Sequence, residues 1–369
     1  MRIAIDAREL LGNRTGVGRY LAALCAEWRR LPSHGVHQFV LYGPIVGDTP
    51  AVLGEPFGDG DNGPFRYQAV PGDGATWWEQ TRLTTALNAS DVDVLFAPGY
   101  GAPLRARVPL ALTIHDISFE THPEWFPWRE GLRRRWMTRQ SARRAARIVA
   151  VSGFTRDEIV THLGVPRERV SVIWSGLHHV PPPSPVPREA LVLYVGSIFN
   201  RRHVPELITA FKRVVAACPD AQLVLVGDNR SHPRQDIDGL AQAAGLAGCV
   251  RVRAFVDEPE LWSLYGRARA FVFLSEYEGF GFAPLEAMAA GVPTIVGDTP
   301  VAREVYGDAA LRVGVQDIPG IAAAIIDLLS DTAAREQLCA AAAGLLPRFT
   351  WTRAAAETLT VLEEVGQAR

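Results

Sequence analysis

Short apolar runs recur between amphipathic stretches along the whole chain: "RIAID", "HQFVLYG", "VDVLFAPG", "PLALTIHD", "RIVAVS" and "RVSVIWSG", then "LVLYVGS", "QLVLVGD", "VRVRAFV", "RAFVFLS" and "PTIVGD". Continuous Val/Ile/Leu runs of this length, separated by helical patterns, are the signature of strands buried on both faces of a parallel sheet. Each half of the chain therefore reads as a doubly wound α/β domain. At about 150 residues per domain, 369 residues suit two such halves. Between them "HHVPPPSPVPRE", residues 178–189, carries five prolines that exclude both helix and central strand. That is a semi-rigid linker. The expected division is 1–178, a linker at 179–189, and 190–349. A last helix over 350–369 starts at a Thr350 or Thr352 N-cap and packs back on the first domain.

Composition narrows the function classes. Hydrophobic residues make up 48% and charged residues 21%, as in an ordinary globular protein. A net charge of -2 argues against a dedicated nucleic-acid binder, which needs a basic surface facing phosphates. Cys25, Cys218, Cys249 and Cys339 are scattered without Cys-x-x-Cys or histidine spacing, so they read as reduced packing residues, and no metal site is expected. No signal peptide is indicated, and no apolar run approaches the ~18 residues of a spanning helix. The expected location is cytoplasmic, with membrane contact at most peripheral, at the inner face.

In open α/β sheets ligands bind outside the carboxyl ends of the strands, so chemistry is sought just after each strand. There "SEYEGFGFAPLEAMAAGVP", residues 275–293, places Glu278 in a strand-to-helix loop and Glu286 in the first turn or so of a helix. Leu285, Met288 and Ala289 form that helix's inward face, and Gly291 and Pro293 close it. Gly279 and Gly281 let the backbone approach a ligand and present N–H groups to an anion. Taken alone, two glutamates at this spacing are better explained as a charge complementing the helix dipole and a solvated loop carboxylate, since bare spacings match by chance.

The stretch "EGFGFAPLEAMAAGVP" closely resembles the signature of the retaining nucleotide-sugar glycosyltransferases of family 4, which have the GT-B fold: two facing Rossmann-like doubly wound domains, an interdomain cleft and a C-terminal crossover helix. The resemblance extends to "DARELLGNRTGVGRYLAAL", "LTIHDISFETHPEWF", "ARRAARIVAVSGFTRDEIVTHLGVPRERVSVIWSG", "LYVGSIFNRRHVPELITAF", "AREVYGDAALRV" and "FTWTRAAAETL". It implies that Glu286 binds the nucleotide ribose and Glu278 the donor sugar hydroxyls. Amides around Phe280, Gly281 and Phe282 would meet the diphosphate. Arg201 and Arg202 would neutralise the departing nucleoside diphosphate without a metal. Arg202 stands where the family usually has lysine, and His203 where it usually has asparagine.

The same resemblance makes His115, at the end of "PLALTIHD", a sugar contact near the scissile bond, with Asp116 orienting the imidazole or capping a turn. Gly16 and Gly18 of "RTGVGRY", a weak signal as Gly-x-Gly alone, would lie over the donor phosphates, with Arg19 adding charge. In "WREGLRRRWMTRQSARRAAR", residues 128–147, eight arginines accompany one glutamate, and Arg135, Arg139 and Arg143 share a stripe. A solvated helix face explains this. So does contact of helix 129–147, with Trp128 and Trp136, with an anionic membrane or a lipid-diphosphate acceptor.

The expected activity is transfer of a hexose, by family habit mannose, from a nucleoside diphosphate sugar to a saccharide or lipid-linked acceptor, with retention. The setting by the same habit is bacterial polysaccharide biosynthesis. The alternatives are a nucleotide-sugar epimerase or hydrolase on the same fold, and a binding module that has lost catalysis.

Overall fold

The computed structural model describes residues 1–11, 16–30, 37–45, 64–178, 180 and 187–368. Most of the proline-rich linker at 179–189, and the residues preceding Gly16 in "RTGVGRY", lie outside the described residues. The chain divides into two units. Met1–Thr121, Trp128–Gly176 and Phe349–Arg369 form the first, and His122–Pro127 and Leu177–Arg348 form the second. Six residues inside the 1–178 stretch, His122–Pro127, thus belong to the second unit.

The first unit holds a seven-stranded sheet in the order β3-β2-β1-β4-β5-β6-β7. Its strands are β1 (Arg2–Asp6), β2 (Gln38–Pro44), β3 (Phe65–Val70), β4 (Val94–Ala97), β5 (Leu110–Ile114), β6 (Arg147–Ala150) and β7 (Val170–Val172). Every pairing is parallel. The second unit holds a six-stranded parallel sheet in the order β10-β9-β8-β11-β12-β13. Its strands are β8 (Glu189–Val195), β9 (Gln222–Val226), β10 (Val250–Arg253), β11 (Ala268–Phe273), β12 (Thr294–Gly297) and β13 (Ala310–Val313).

All eleven apolar runs of the sequence are strands. The two strands missed by that reading, β3 and β13, are both edges, where Arg66, Gln68 and Arg312 interrupt the apolar pattern, although the edge β10 was readable with Arg251 and Arg253 in its run. Parallel neighbours need crossovers, and helices supply them. Ser152 caps helix Gly153–Leu163 by accepting from the Thr155 N–H at 3.0 Å, and Gly164 ends it at φ 66°. At the start of β8, Arg188 donates to the carbonyls of Tyr265, Ala268, Ala290 and Gly291, tying the strand to the ends of two helices.

In each sheet the strand order reverses once. From β1 the chain builds outward through β2 and β3, then returns to place β4 on the other flank of β1. It does the same with β8, β9, β10 and β11. The crossovers leaving β1 and β4, and those leaving β8 and β11, run to opposite sides, which opens a crevice at the carboxyl ends of those pairs.

The last helix, Trp351–Gln367, starts at Thr350, whose hydroxyl accepts from the Arg353 N–H at 3.3 Å, so Thr350 is the N-cap. Its buried face of Ala354, Ala355, Leu359, Leu362 and Val365 joins the core of the first unit. Trp28, 2% exposed, anchors it by donating its indole N–H to the Ala355 carbonyl at 2.9 Å while stacking on Phe39 at 5.1 Å. Replacing Trp28 with Ala leaves a cavity and an unpaired carbonyl, and should lower the stability of the first unit by about 3–5 kcal/mol. Urea denaturation checks this; a loss below about 1 kcal/mol would show that the last helix docks without Trp28.

Candidate active site

The crevice between β8 and β11 collects seven of the ten residues singled out from the sequence. One wall is the turn after β8, in which Asn200–Arg202 form a 3-10 turn ending at His203. The other is the loop after β11, running into helix Phe282–Ala289. The two walls are fastened together by the Glu276 N–H, which donates to the Arg201 carbonyl at 2.9 Å.

His203 is the single non-glycine residue with positive φ among the described residues, at φ 49° and ψ 39°. Asparagine and histidine are among the residues that enter this left-handed region most readily. His203, where the resemblance implies asparagine, therefore suits the backbone as asparagine would. The ring is buried, with Nδ1 3.3 Å from Glu206 and Nε2 3.3 Å from Glu276. Neither contact meets hydrogen-bond geometry.

The two arginines have different surroundings. Arg202 is packed against Phe273 and Phe199, with its guanidinium 4.8 Å and 5.4 Å from the ring centres. Its Nε and Nη2 lie 3.0 Å and 2.9 Å from Glu278 Oε1, and its Nη1 donates to the Ser197 carbonyl at 2.8 Å. Burial works against its charge, but Glu278 outweighs this and raises its pKa above the usual range. A lysine could not make this fork. Gly196, at φ 147°, leaves room for it, since a Cβ there would come within 2.7 Å of Arg202 Nη1.

The Arg201 guanidinium lies 4.6 Å from the Phe199 ring centre and 5.8 Å from that of Trp125, and its buried Nε has no hydrogen-bond partner among the described residues. Glu278 is divided in a similar way. Its Oε1 accepts from Arg202 and from the Ser275 hydroxyl at 2.8 Å, while no hydrogen bond to Oε2 is found among the described residues.

Phe280, Gly281 and Phe282 form the corner between loop and helix. Gly281 is the N-cap at φ 87° and carries no side chain to cap the first turn. A Cβ there would collide with the Tyr306 hydroxyl, which donates to the carbonyls of Gly281 at 2.9 Å and Phe280 at 3.2 Å. Glycine is thus required by conformation and by space together. Leu285 and Met288 are buried as the spacing predicts, whereas Ala289 is half-buried; Glu286 lies in this buried stretch at 8% exposure.

Tyr306, Trp125 and His122 are absent from the residues singled out by sequence. His122 stacks on Trp125 at 3.9 Å, and both rings edge onto Tyr277 at 5.5 Å and 6.2 Å. A tyrosine hydroxyl bracing a loop 25 residues upstream leaves no spacing pattern, but "THPEWF" did offer a signal in two aromatic residues clustered around proline in a segment of polar character.

His115, Gly16 and Gly18 belong to the first unit. Gly16 opens helix Gly16–Arg30, with Gly18 buried in its first turn and Arg19 exposed. That helix's Tyr20 meets the His115 ring edge-on at 4.9 Å. His115 Nε2 lies 2.8 Å from the Pro98 carbonyl, and burial lowers the imidazole pKa despite that bond and the nearby Asp116. The ring is then neutral with Nε2 protonated, and Nδ1 is an acceptor. Asp116 caps a turn: its Oδ1 accepts from the Ser118 N–H at 2.9 Å and hydroxyl at 2.7 Å.

In helix Trp128–Arg144 much of the basic charge has structural partners. Arg134 pairs with Glu130, Arg139 with Glu120, and Arg144 donates to the carbonyls of Ala106 and Val108. The stripe of Arg135, Arg139 and Arg143 is therefore interrupted by an ion pair. Trp128, Leu132 and Trp136 share another face and are 71%, 52% and 54% exposed. Among the described residues no helix is long and apolar enough to cross a membrane.

The profile described as Glycosyl transferases group 1 matches residues 181–344, and that described as Glycosyltransferase Family 4 matches residues 14–179. O-antigen chain mannosyltransferase B of Escherichia coli is 29% identical over 281 residues, covering 72% of this chain and 73% of that one. Phosphatidyl-myo-inositol mannosyltransferase of Mycolicibacterium smegmatis is 34% identical over 190 residues, covering 49% of this chain and 47% of that one. Among solved structures, Anabaena HepE in complex with UDP and glucose matches with a TM-score of 0.76 at 19% identity, over 99% of this chain and all of that one. WaaG, a glycosyltransferase involved in lipopolysaccharide biosynthesis, matches with a TM-score of 0.71 at 16% identity, over 98% of this chain and 99% of that one. With one profile on each half of the chain and the fold of these neighbours throughout, the chain belongs to glycosyltransferase family 4 and is a glycosyltransferase of the GT-B fold.

Proposed function

We propose that this glycosyltransferase moves a hexose, with mannose the first candidate, from a nucleoside diphosphate sugar to a saccharide or lipid-linked saccharide, with retention of configuration. The observation that carries the reading is the Arg201 guanidinium, which has no ion-pair partner among the described residues, beside a glycine-capped helix start, in the crevice where the strand order of the second sheet reverses. A cation without a counter-ion, next to a helix N-terminus, suits the diphosphate of a donor. Arg201 supplies charge to the leaving group as the sugar–oxygen bond breaks, with Arg202 fixed behind it, so the charge is stabilised without recruiting a metal. Glu278 holds Arg202 through Oε1 and offers Oε2 to sugar hydroxyls. Glu286 holds the ribose and the amides about Phe280, Gly281 and Phe282 meet the phosphates; in the first unit the Gly16–Gly18 turn offers N–H groups to an anion and neutral His115 offers Nδ1 to a hydroxyl. The mannosyltransferase names among the relatives support mannose; the UDP held by HepE keeps uridine in the panel.

The test is donor consumption over GDP-, UDP- and ADP-sugars, with and without saccharide acceptors, reading the anomeric configuration of the product by NMR. Arg201→Ala should lower kcat by about 10²–10³. Glu286→Ala should raise the donor KM about tenfold, and His115→Ala should lower kcat. Consumption that ignores the acceptor would instead identify a hydrolase or epimerase, and unchanged kinetics in all three variants would remove the assignment.

His203 gives the site a pH dependence. Burial disfavours its charge, but Glu206 and Glu276 more than compensate and raise its pKa above the usual value of about 6.5. A raised folded-state pKa contributes stability that is fully present below pH 6.5 and fades as pH climbs through the raised value. The melting temperature should therefore fall over that interval, and His203→Asn, which suits the same backbone, should flatten the fall. An identical pH profile in the variant would show that His203 does not titrate in this way.

The exposed face of Trp128, Leu132 and Trp136, flanked by Arg129 and Arg135, supports peripheral contact with an anionic membrane. Trp128→Ala with Trp136→Ala should weaken sedimentation with phosphatidylglycerol vesicles several-fold. Equal sedimentation of variant and wild type would place any contact elsewhere.

A further inference from the structure

His122–Pro127 belongs to the second unit, although Thr121 before it and Trp128 after it both belong to the first. Within it Pro123–Trp125 forms a 3-10 turn, in which the Trp125 N–H donates to the His122 carbonyl and the Phe126 N–H to that of Pro123, each at 3.2 Å. Pro123 opens the turn with its φ preset and gives up an N–H that the turn does not use. Three residues per turn bring positions i and i+3 to the same side. His122 and Trp125 stand at that spacing, so their rings stack at 3.9 Å and within 9° of parallel. His122 Nδ1 lies 3.2 Å from Glu124 Oε1, which orients the histidine ring.

This stack meets both walls of the crevice between β8 and β11. On the wall after β8 the Arg201 guanidinium lies 5.8 Å from the Trp125 ring centre and 4.6 Å from that of Phe199. On the wall after β11 the buried Tyr277 takes both rings edge-on, 5.5 Å from His122 and 6.2 Å from Trp125. Tyr277 stands between Glu276, whose N–H holds the Arg201 carbonyl at 2.9 Å, and Glu278, which holds Arg202. Arg201 is thus tied to one loop by two routes, its backbone through a hydrogen bond and its guanidinium through a chain of rings.

The second route differs in kind from an ion pair. An aromatic face attracts a guanidinium and limits its torsional freedom while leaving its charge unspent, whereas a carboxylate would take both the charge and the N–H groups. Indole is the strongest such face. A cation held in place before charge develops needs no reorientation when the bond breaks.

We infer that Trp125 is a positioning residue for Arg201: backed by His122 and Tyr277, its indole aims the Arg201 guanidinium at the charge that develops on a departing nucleoside diphosphate. The inference rests on the proposed transfer reaction for the word departing, and on the rings alone for the place of the guanidinium. The diphosphate gains charge as it leaves, so the effect falls on the transition state and on the bound nucleoside diphosphate more than on the intact donor.

The test uses the full chain with Trp125→Leu, Trp125→Phe and Arg201→Ala, alone and crossed. It reads Kd for GDP, UDP and inorganic pyrophosphate by calorimetry, beside kcat and donor KM. Trp125→Leu should lower kcat about tenfold, raise the Kd of the better-bound nucleoside diphosphate about fivefold, and leave the donor KM within about twofold. Trp125→Phe, which keeps a ring, should recover most of both losses. In the Arg201→Ala background Trp125→Leu should move the Kd by less than about twofold, because an indole that acts through Arg201 has nothing left to act on. Fluorescence decides the matter even if Trp125→Leu does not fold. The emission of wild type minus that of Trp125→Phe should change when the nucleoside diphosphate saturates the site, and the same difference taken in the Arg201→Ala background should not. Equal losses from Trp125→Leu with and without Arg201, a Trp125→Phe as impaired as Trp125→Leu, or a wild type that binds none of the three anions would each overturn the inference. A kcat lowered by Arg201→Ala but not by Trp125→Leu would overturn it too, and leave the transfer reading standing. A Kd weakened by Trp125→Leu only when Arg201 is present, with no donor consumed by the wild type, would uphold the positioning role and sink the transfer reading instead.

Discussion

The site depends on a reversal of strand order. A parallel sheet grows by crossovers of one hand, so a chain that starts in the middle and builds to one edge must later return and build to the other. The crossovers on the two flanks of β8 leave toward opposite faces, which opens a crevice at the carboxyl ends of β8 and β11. The Arg201–Arg202 turn and the loop bearing Glu278 occupy that gap because topology leaves it open. The first sheet repeats the same layout with different residues, placing Asp6 and Arg8 after β1 and Pro98 to Gly101 after β4.

Within the second crevice, charges are divided into those satisfied by the protein and those left over. A buried ion pair such as Arg202 with Glu278 is weak evidence of stability, because desolvation offsets much of the attraction. Its effect here is positional: it fixes one oxygen of Glu278 and leaves the other directed elsewhere. The aromatic bed of Phe199 and Trp125 supports Arg201 without neutralising it. Tyr306 performs the matching service for the backbone, bracing two carbonyls at the corner where glycine alone fits.

Legibility in the sequence followed burial. Interior strands, apolar on both faces, were readable as runs; of the four edges β7 and β10 were readable and β3 and β13 were not, since solvent on one side permits charged residues in an edge strand's pattern. Glu278, Gly281 and Glu286 were readable because they cluster within nine residues of a local strand-to-helix corner. Trp125 and Tyr306 were not, because each reaches the corner from a distant part of the chain and contributes through one ring or one hydroxyl.

The sequence by itself determined the two parallel sheets, the family and the residues at the strand ends, since these follow from local periodicity and short contiguous motifs. Tertiary structure alone decided which charges are spent within the protein. Arg201 and Arg202 are adjacent and chemically identical, yet one is locked to Glu278 and the other has no ionic partner among the described residues. It also decided that histidine can replace asparagine at 203, where a left-handed backbone is the requirement, and that Asp6, Arg8 and Glu79 meet across more than seventy residues. Periodicity reports which face of an element is buried; the direction of a guanidinium is set by neighbours that only the folded chain brings within reach.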